Sequence, residues 1–266
     1  MPELPEVETI ARDLAPKLAG RRIASVRASW HRSIDERGLP SNALEGDAIE
    51  HVRRIGKYVA LSLESGRTLA IHLRMTGRLI VDPPHDIAHT RVMMHFTDGG
   101  ALAFADARKF GRMRIIEGDV REALRVGIDP FDRALTPSTL QQLLRGRTTP
   151  IKSWLLDQRR VSGVGNIYAC EALFYAGIRP RRAAGRLNAQ QHVRLLRSLR
   201  KVLRKAITHR GSSVDDYVDA EGKQGEFQKR LAVYGRRGMP CRRCKATIRR
   251  VVIAQRGTFY CPLCQH

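Results

Sequence analysis

The spacing of apolar residues divides the chain into a β-rich first part and a helical second part. Between Val7 and Leu18 the apolar residues recur at helical spacing, which predicts an N-terminal helix that ends at Gly20. From about residue 21 to 117, short apolar stretches alternate with turn signals, a pattern typical of an antiparallel sandwich or barrel. The predicted strands are Tyr58–Leu63, Thr68–Leu73, Arg91–Phe96, Ala101–Ala105 and Arg112–Ile116.

Helical periodicity follows Gly127–Pro130, where the first domain is predicted to end. Helices are predicted to start at Thr136-Pro137, at Ile151, at Gly165-Asn166 and at Asn188. The last of these is the longest, and its predicted inward-facing residues are Val193, Leu196, Leu199, Leu203 and Ile207. Residues 211–229 are rich in glycine and charge and are predicted to form a mobile loop.

The charge balance of the chain points to a polyanionic partner. Lysine and arginine number 48 against 26 aspartates and glutamates, a net charge of +22. Nucleic acid is the default partner for such an excess, although ribosomal proteins and basic membrane-surface proteins share it. No apolar run reaches the ~18 residues of a membrane span, and no secretory signal is visible at the N-terminus. We therefore expect a monomeric protein with no membrane partner, in the cytoplasm or on the nucleoid of a bacterium.

Four of the five cysteines form a metal-binding pattern, Cys241-x2-Cys244-x16-Cys261-x2-Cys264. Two such pairs are typical of one tetrahedral zinc ion held by four thiolates, and a disulfide alternative fits a reducing compartment poorly. A module of about 30 residues has too small a core to fold alone, so we expect a structural zinc. Cys170 lies in an apolar helical stretch and is predicted to be a buried small hydrophobe.

The N-terminal Met1-Pro2-Glu3 offers an unusual nucleophile. Removal of Met1 would leave Pro2 with a secondary α-amine, a group that titrates near ~8 and is partly neutral at cellular pH. Attack of a secondary amine on an aldehyde-level carbon gives an iminium ion, and Glu3 and Glu6 are candidate acid–base partners. The alternative is an ordinary capped helix with Pro5 in its first turn.

Other segments suggest contact with a nucleic acid. The turn before Asn166 contains two glycines, Gly163 and Gly165, and either binds a phosphate at the helix start or is a plain turn. Arg108 and Phe110 lie on a segment between strands, where they either insert into a base stack or, for Phe110, point into the core. Lys57, Lys152 and Arg256 are candidate functional cations, although a lone lysine before a strand normally faces solvent.

Taken together, these segments resemble the formamidopyrimidine-DNA glycosylase family, which shares its fold with endonuclease VIII. The resemblance covers essentially the whole chain. The matching motifs are Met1–Glu8, Gly56–Tyr58, His72–Gly77, Arg108–Gly111, Gly163–Tyr168, Val233–Arg236 and Ala254–Cys261. Leu4 is typical of the branch that acts on oxidised purines, because endonuclease VIII members have glycine there.

The resemblance implies an α+β fold with three domains. These are an N-terminal catalytic antiparallel β-sandwich with an N-terminal helix (1–130), a helical DNA-binding domain with a helix-two-turns-helix element (131–235) and a C-terminal zinc-finger β-hairpin with four cysteines (236–266). It also implies base-excision repair: a glycosylase that removes 8-oxoguanine and formamidopyrimidines from duplex DNA, opposite cytosine by preference, and nicks the abasic site by β,δ-elimination.

The resemblance also implies roles for individual residues. Pro2 would be the nucleophile, Glu3 the acid for the deoxyribose ring oxygen and Lys57 a phosphate contact and proton carrier, with Arg256 also in the catalytic set. The residues implied to contact DNA are Met75, His89, Arg108, Phe110, Lys152 and Asn166. Met75, Arg108 and Phe110 would fill the gap left by the everted base, and Asn166 and Arg256 would bind phosphate. The loop at 212–227 would close over the damaged base, and Glu6 would orient the N-terminus.

Three positions depart from the family pattern, and two alternatives stay open. Arg74 stands where glycine is common, and Ala107 and Lys109 replace a more usual proline and arginine. These changes leave the chemistry intact but put the opposite-base preference in doubt. The alternatives are a glycosylase for oxidised pyrimidines and a non-catalytic zinc-finger protein that binds damaged DNA. Pro2, Glu3 and Lys57 together argue against the second.

Overall fold

The protein is described by a computed structural model that covers residues 1–35, 39–83, 87–214, 217–220 and 222–266. Its contacts divide it into two compact units. The N-terminal unit comprises Met1–Leu124 together with His209–Glu226, and the C-terminal unit comprises Arg125–Thr208 together with Phe227–His266. No helix among these residues is both long enough and apolar enough to cross a membrane.

Two four-stranded antiparallel sheets and one long helix make up most of the described part of the N-terminal unit. The helix α1 spans Leu4–Leu18 and packs against β2 and β3. The strands are β1 (Ile23–Ala28), β2 (Ile49–Ile55), β3 (Tyr58–Leu63), β4 (Thr68–His72), β5 (Arg78–Val81), β6 (Thr90–Phe96), β7 (Ala101–Ala105) and β8 (Arg112–Ile116). One sheet has the order β1-β6-β7-β5 and the other β2-β3-β4-β8. Apolar residues of both sheets and of α1 share one core, so the predicted antiparallel sandwich is confirmed.

The five strands named from the sequence are all present, with bounds that agree within one residue. The strands β1, β2 and β5 were not among them. In β2 only Ile49 is fully buried, and its other positions carry charged or half-exposed side chains, so it lacks a continuous apolar signal. Such a strand is stabilised by pairing with β3 and by packing under α1, so its own sequence carries only a weak strand signal.

The C-terminal unit is helical up to its last thirty or so residues. A short helix, α2 (Val120–Ala123), ends the preceding unit, and α3 (Pro137–Leu144), α4 (Ile151–Leu156), α5 (Asn166–Ala176) and α6 (Ala189–Thr208) follow. Thr136 caps α3 by accepting a hydrogen bond from the Thr139 N–H, as its sequence predicts. Asn188 and Gln191 cap α6 reciprocally, each side chain accepting a hydrogen bond from the other residue's N–H.

One predicted core position of α6 is wrong. Val193 is 50% exposed, and Ile207 is only half-buried. The buried stripe runs through His192, Leu195, Leu196, Leu199, Val202, Leu203 and Ala206. The stripe is centred about one residue away from the predicted one, because polar Gln191 and His192 take buried places that a hydrophobicity pattern assigns to valine.

The chain ends in a hairpin of β9 (Arg249–Ile253) and β10 (Arg256–Tyr260), between the two cysteine pairs. Its small apolar cluster includes Cys241, Ile248 and Cys261, together with Cys170 and Phe174 of α5. Cys170 is fully buried, as predicted. The apolar core of this module is therefore continuous with α5 within the same unit.

Candidate active site

The N-terminal segment is held rigidly at the start of α1. Pro2 is buried and Met1 is 40% exposed. Glu3 is the N-cap residue of α1 and is only 4% exposed. Its backbone N–H donates to Glu6 Oε2 over 2.8 Å, while the Glu3 side chain accepts from the backbone of Glu6, which completes a capping box. The residue next to the candidate nucleophile thus has a fixed main chain and a fixed side chain.

Glu6 joins this segment to the loop that follows α6. Its Oε1 accepts a hydrogen bond from the Ser212 N–H over 2.7 Å, so both carboxylate oxygens are engaged. Gly211, with φ +79°, must be glycine here because a Cβ would lie 2.7 Å from Glu6 Oε1. Tyr217 packs on the same helix, and burial, with the negative charge of Glu6 nearby, raises its pKa. Glu6 therefore connects the main chain of Glu3 to the residues after α6, and its orienting role stays a prediction.

Only part of the predicted closing loop is described. Residues 215, 216 and 221 lie outside the described part of the chain. At its start, Arg210 forms ion pairs with Asp13 of α1 and with Asp219. The described residues of the loop as far as Glu226 therefore belong to the same unit as Pro2 and Glu3, a placement that chain order alone does not reveal.

Lys57 lies in the two-residue turn between β2 and β3, the strands on which α1 packs. It is only 6% exposed, unlike an ordinary surface lysine. Arg54 ties this turn to α1, because its Nε donates to Glu8 Oε2 over 2.9 Å and its Nη1 donates to the Gly56 carbonyl over 3.1 Å. Sequence reasoning missed Arg54, whose role depends on a partner 46 residues away.

The residues predicted to insert into DNA are exposed at loop tips. Met75 is 39% exposed and Phe110 is 47% exposed, so the alternative of a core-facing Phe110 is wrong. The Arg108 guanidinium lies 5.0 Å from the centre of the Phe110 ring. An arginine against an exposed aromatic ring suits contact with a flat base or an unstacked step.

His72 organises the turn that carries Met75. Its Nδ1 accepts a hydrogen bond from the Arg74 N–H over 3.0 Å, which requires a neutral ring. Burial, reinforced by the positive charges of Arg74 and Lys57, lowers the pKa of His72 to about 3. Arg74 has φ +55°, a left-handed conformation that explains why glycine is common at this position in the family it resembles.

In the C-terminal unit two candidate residues, Lys152 and Asn166, meet at one main-chain oxygen. The Gly257 carbonyl of the hairpin accepts from Lys152 Nζ over 3.3 Å and from Asn166 Nδ2 over 3.1 Å. Lys152 also donates to Thr258 Oγ1 over 2.6 Å. Lys152 is fully buried, so it faces protein rather than solvent. These bonds fix the strand at Gly257 and Thr258, directly after the exposed Arg256.

Asn166 is the first residue of α5, and its Oδ1 is buried with no hydrogen-bond partner among the described residues. The preceding turn, in which Gly163 has φ +83°, is held by Gln158, which accepts from the Gly163 N–H over 2.9 Å and donates to the Val164 carbonyl over 2.7 Å. The helix α5 has eleven residues, and the fixed turn leaves the N–H groups at its N-terminus available to an anion.

Arg256 is held at the tip of the hairpin. It pairs with Ile253 in the antiparallel ladder, and the two turn residues between them, Ala254 and Gln255, have φ values of +47° and +57°. Two successive left-handed residues make a tight turn whose twist matches that of the strands. Arg256 is exposed, so its guanidinium is presented on a short and well-determined loop.

The four cysteine sulfurs of the C-terminal module fit one zinc ion. All four lie within 4.8 Å of one another, with Cys241 and Cys264 Sγ 4.0 Å apart and Cys244 and Cys261 Sγ 3.4 Å apart. Tetrahedral zinc with bonds of about 2.3 Å needs sulfur separations of about 3.8 Å. Gln265 supports the second pair by accepting from the Cys261 N–H over 2.9 Å. The predicted structural zinc site is confirmed.

Comparison with known proteins extends over the whole chain. Family models match residues 1–113 (formamidopyrimidine-DNA glycosylase N-terminal domain), 126–218 (formamidopyrimidine-DNA glycosylase H2TH domain) and 238–266 (zinc finger found in FPG and IleRS). A formamidopyrimidine-DNA glycosylase of Chloroflexus aggregans is 45% identical over 271 residues, covering 100% of this chain and 98% of the relative. One from Herpetosiphon aurantiacus is 43% identical, with 100% of each chain covered.

Solved structures agree with these relatives. The MutM (FPG) protein of Thermus thermophilus has a TM-score of 0.89 and 40% identity, covering 99% of this chain and 98% of its own. The Lactococcus lactis Fpg in complex with DNA containing an abasic site has a TM-score of 0.89 and 36% identity over 99% of both chains. A mutant form of the Lactococcus lactis protein, in complex with DNA containing Fapy-dG, matches with a TM-score of 0.89 and 35% identity over 100% of both chains.

Proposed function

The chain belongs to the formamidopyrimidine-DNA glycosylase family, and from this membership we propose that it excises oxidised purines from duplex DNA and cuts the strand at the resulting abasic site. Its substrates would be 8-oxoguanine and formamidopyrimidines. The observation that carries the proposal is the fixed N-terminus, where Pro2 precedes a helix whose capping residue Glu3 is held by Glu6. Capping of α1 requires only the side chain of Glu3. It does not require that Glu6 hold the Glu3 main chain and also bind Ser212 in a distant loop.

The first step is eversion of the damaged nucleotide, because its C1′ atom is unreachable in a stacked duplex. Met75, Arg108 and Phe110 would enter the stack and occupy the vacated position. Their exposure at loop tips supports this role. His89, also exposed and in a left-handed conformation with φ +65°, would contact the DNA backbone.

Excision follows by nucleophilic attack. The neutral amine of Pro2, freed by removal of Met1, forms a bond to C1′ as the bond from C1′ to the base breaks. The Pro2 nitrogen, which carries a proton and a positive charge after the attack, loses that proton to the departing base. Glu3 protonates the ring oxygen O4′, the ring opens, and the freed nitrogen lone pair completes an iminium ion between C1′ and the Pro2 nitrogen. The burial of Glu3 and its fixed position beside Pro2 support its use as the group that protonates O4′.

Strand cleavage uses the acidity that the iminium ion creates. Loss of a C2′ proton allows the 3′ phosphate to leave by β-elimination, and a second elimination releases the 5′ phosphate. Lys57 would contact phosphate and carry protons in these steps. The low exposure of Lys57, on the turn that Arg54 ties to α1, supports a directed role. The product would be a one-nucleotide gap with a phosphate at each end, and the chemistry consumes no redox cofactor.

Phosphate binding is assigned to the C-terminal unit. Arg256 and Asn166 would bind the DNA backbone. The resemblance implies a position beside the lesion for Lys152. Because Lys152 is buried against Gly257 and Thr258, we assign it the role of holding the hairpin that presents Arg256. When zinc is bound, it joins the two cysteine pairs and stabilises the same hairpin.

We propose the domain boundaries 1–130, 131–235 and 236–266, with the 212–227 loop closing over the damaged base. The protein would act as a monomer in the bacterial cytoplasm, and the bacterial origin of its relatives supports that location. Excision of oxidised pyrimidines is the second candidate function, and Leu4 is the residue that favours purines over it.

Borohydride trapping tests the proposal. The purified protein is incubated with a duplex that contains one 8-oxoguanine opposite cytosine, and borohydride reduces any iminium ion to a stable amine. Mass spectrometry then locates the adduct, which we expect on Pro2. Adducts formed only with oxidised pyrimidines or an abasic site would favour the second candidate. No adduct with any of these DNAs would reject catalysis and favour a binding protein.

A further inference from the structure

Two of the loops assigned to DNA insertion meet at one buried carboxylate of the N-terminal unit. Asp106 follows the last residue of β7 and is 1% exposed. Its Oδ1 accepts from the Thr76 hydroxyl over 2.5 Å and from the Arg108 N–H over 3.2 Å. Its Oδ2 accepts from the Gly111 N–H over 2.7 Å. One side chain therefore holds both ends of the segment that carries Phe110 and also the residue that follows Met75 in the chain.

The main chain of Asp106 reaches a third loop. Its N–H donates to the His89 carbonyl over 3.0 Å. Its carbonyl accepts from Arg91 Nε over 2.8 Å and from the Lys109 N–H over 3.4 Å. The three loops with candidate DNA contacts in this unit, around Met75, His89 and Arg108, are thus all bonded to the same residue.

The loops need such a support because their tips are not packed into the core. Phe110 is 47% exposed, and Lys109 has φ +58°, a conformation that costs free energy for a residue with a side chain. Close approach to Asp106 also restricts Gly111, where a Cβ would lie 2.3 Å from the Phe104 ring and 3.2 Å from Asp106 Oδ2. Hydrogen bonds to Asp106 take the place of the apolar contacts that the tips lack.

The geometry points to Asp106 as a positioning residue that fixes the spacing between Met75 and the Arg108–Phe110 segment, so that both enter the duplex together. This inference rests on the proposed function, because it concerns eversion by the same loops. The carboxylate is buried and its oxygens already accept three hydrogen bonds, so it acts through the loops and not on DNA. Displacement of an inserted side chain by about 1 Å is enough to slow a reaction that depends on its position.

Asp106→Asn tests the inference with little change of shape. The amide keeps one acceptor oxygen and replaces the other by an N–H donor, so it cannot accept from both the Arg108 and Gly111 N–H groups. Two rates are compared: excision of 8-oxoguanine from a duplex, and borohydride-trapped adduct formation on single-stranded abasic DNA, which requires no eversion. We expect the ratio of the first rate to the second to fall about tenfold. Thr76→Val removes the hydroxyl that donates to Asp106 and that accepts from the Arg108 N–H over 3.3 Å, and it should lower the ratio about threefold.

A matched control is Asp47→Asn in the same unit. Asp47 is 8% exposed and accepts from the Ser65 N–H over 3.1 Å and from the Ser65 hydroxyl, at a turn without candidate DNA contacts. Its ratio should stay within about twofold of wild type. An Asp106→Asn ratio equal to that of the control overturns the inference, and so does an equal loss of both rates, which would reveal a folding role alone.

If Asp106→Asn does not fold, Thr76→Val decides, and an unchanged ratio in that variant overturns the inference. Failure of the wild-type protein to form an adduct on either DNA is a different result. It rejects the proposed function, and the positioning role falls with it. Normal wild-type activity with unaffected variants rejects the positioning role only.

Discussion

The two units hold their candidate functional groups in different ways. In the N-terminal unit, Pro2, Lys57 and the inserting loops lie at the margins of a sandwich with a large hydrocarbon core, to which hydrogen bonds from Glu6, Arg54 and Asp106 attach them. In the C-terminal unit, Arg256 lies on a hairpin with a small apolar cluster, four cysteines and one shared carbonyl oxygen. In the N-terminal unit the residues that stabilise the fold are therefore different from those assigned to the reaction. In the C-terminal unit the binding of DNA depends on the metal that stabilises the hairpin.

This difference predicts two kinds of failure. Damage to the polar attachments of the N-terminal unit should impair reaction while the fold persists, because the hydrophobic core supplies most of the folding free energy. Damage to the C-terminal module should remove DNA binding together with local structure, because the metal supplies much of the folding free energy of so small a module.

Blocking the amine of Pro2 should have the largest effect, and it should separate strand cleavage from DNA binding most clearly. With an N-terminal extension, or with Met1 retained, the nitrogen cannot form the iminium ion, so strand cleavage should fall by at least about 1,000-fold. Affinity for lesion DNA should change by less than about threefold, since phosphate contacts dominate affinity. Gel-based cleavage and fluorescence anisotropy measure the two quantities. Cleavage at the normal rate by a protein with an intact extension would refute the role of Pro2.

Removal of zinc should have the next largest effect, and it should act on the C-terminal unit. Chelation, or Cys244→Ser, should weaken DNA binding about 100-fold while the N-terminal unit stays folded. The two tryptophans allow this to be followed, because Trp30 lies in the N-terminal unit and Trp154 in the C-terminal unit. A Trp154→Phe background leaves Trp30 as the reporter of the sandwich. Loss of the Trp30 signal together with DNA binding would show that the two units depend on one another.

The stability of the N-terminal unit should depend on pH because His72 is buried in its neutral form. Because the pKa of folded His72 is about 3, the unfolded chain binds a proton at this residue below about pH 6.5 whereas the folded chain does not. Its contribution should leave stability unchanged at pH 7 and lower the free energy of unfolding by about 2 kcal/mol between pH 7 and pH 5.

Denaturant titrations of wild type and His72→Gln across this range measure that contribution. Burial also lowers the pKa of His192 in the C-terminal unit, so only the difference between the two profiles reports on His72. Parallel profiles would mean that His72 titrates normally and that its Nδ1 does not hold the Arg74 turn.

Arg256→Ala should have the smallest effect, and it tests how much the hairpin of the C-terminal unit contributes to DNA affinity. Loss of one phosphate contact should weaken affinity about tenfold and reduce the slope of log affinity against log salt by about 0.9. Cleavage of DNA at saturating concentration should change little. Arg133→Ala, another exposed arginine of the same unit, removes the same charge and serves as the control. Equal salt slopes for the two variants would assign the effect to net charge rather than to the hairpin.

Much of the fold is predictable because its signals are local. Thr136 and Asn188 cap helices within three residues of themselves, and the buried strands β3 and β4 carry continuous apolar runs. The four cysteines also define their site by spacing alone. Strands β1 and β2 escaped prediction because they expose much of their length, and Val193 was misplaced because a buried histidine occupies the adjacent position of the stripe.

The long-range contacts that support the candidate site were not predictable from the sequence. Glu6 meets Ser212 across 206 residues, Lys152 meets Gly257 across 105, and Thr76 meets Asp106 across 30. Each is an ordinary polar residue in its own neighbourhood, and only the folded chain brings the partners together. The resemblance identified the residues that would touch DNA and implied an orienting role for Glu6. It did not identify the partners of Glu6 and Lys152, or the role of Asp106.

The shared oxygen of Gly257 has a consequence for the way this surface can change over evolutionary time. A point mutation replaces a side chain, but it leaves the main-chain carbonyl in position. The acceptor used by both Lys152 and Asn166 is therefore insulated from single substitutions at its own residue, apart from the strain of a Cβ placed 3.1 Å from Arg250 Nε. Variation reaches this junction through the side chains of Lys152, Asn166 and Thr258, so inherited differences in DNA affinity should accumulate at residues 152, 166 and 258 rather than at the acceptor.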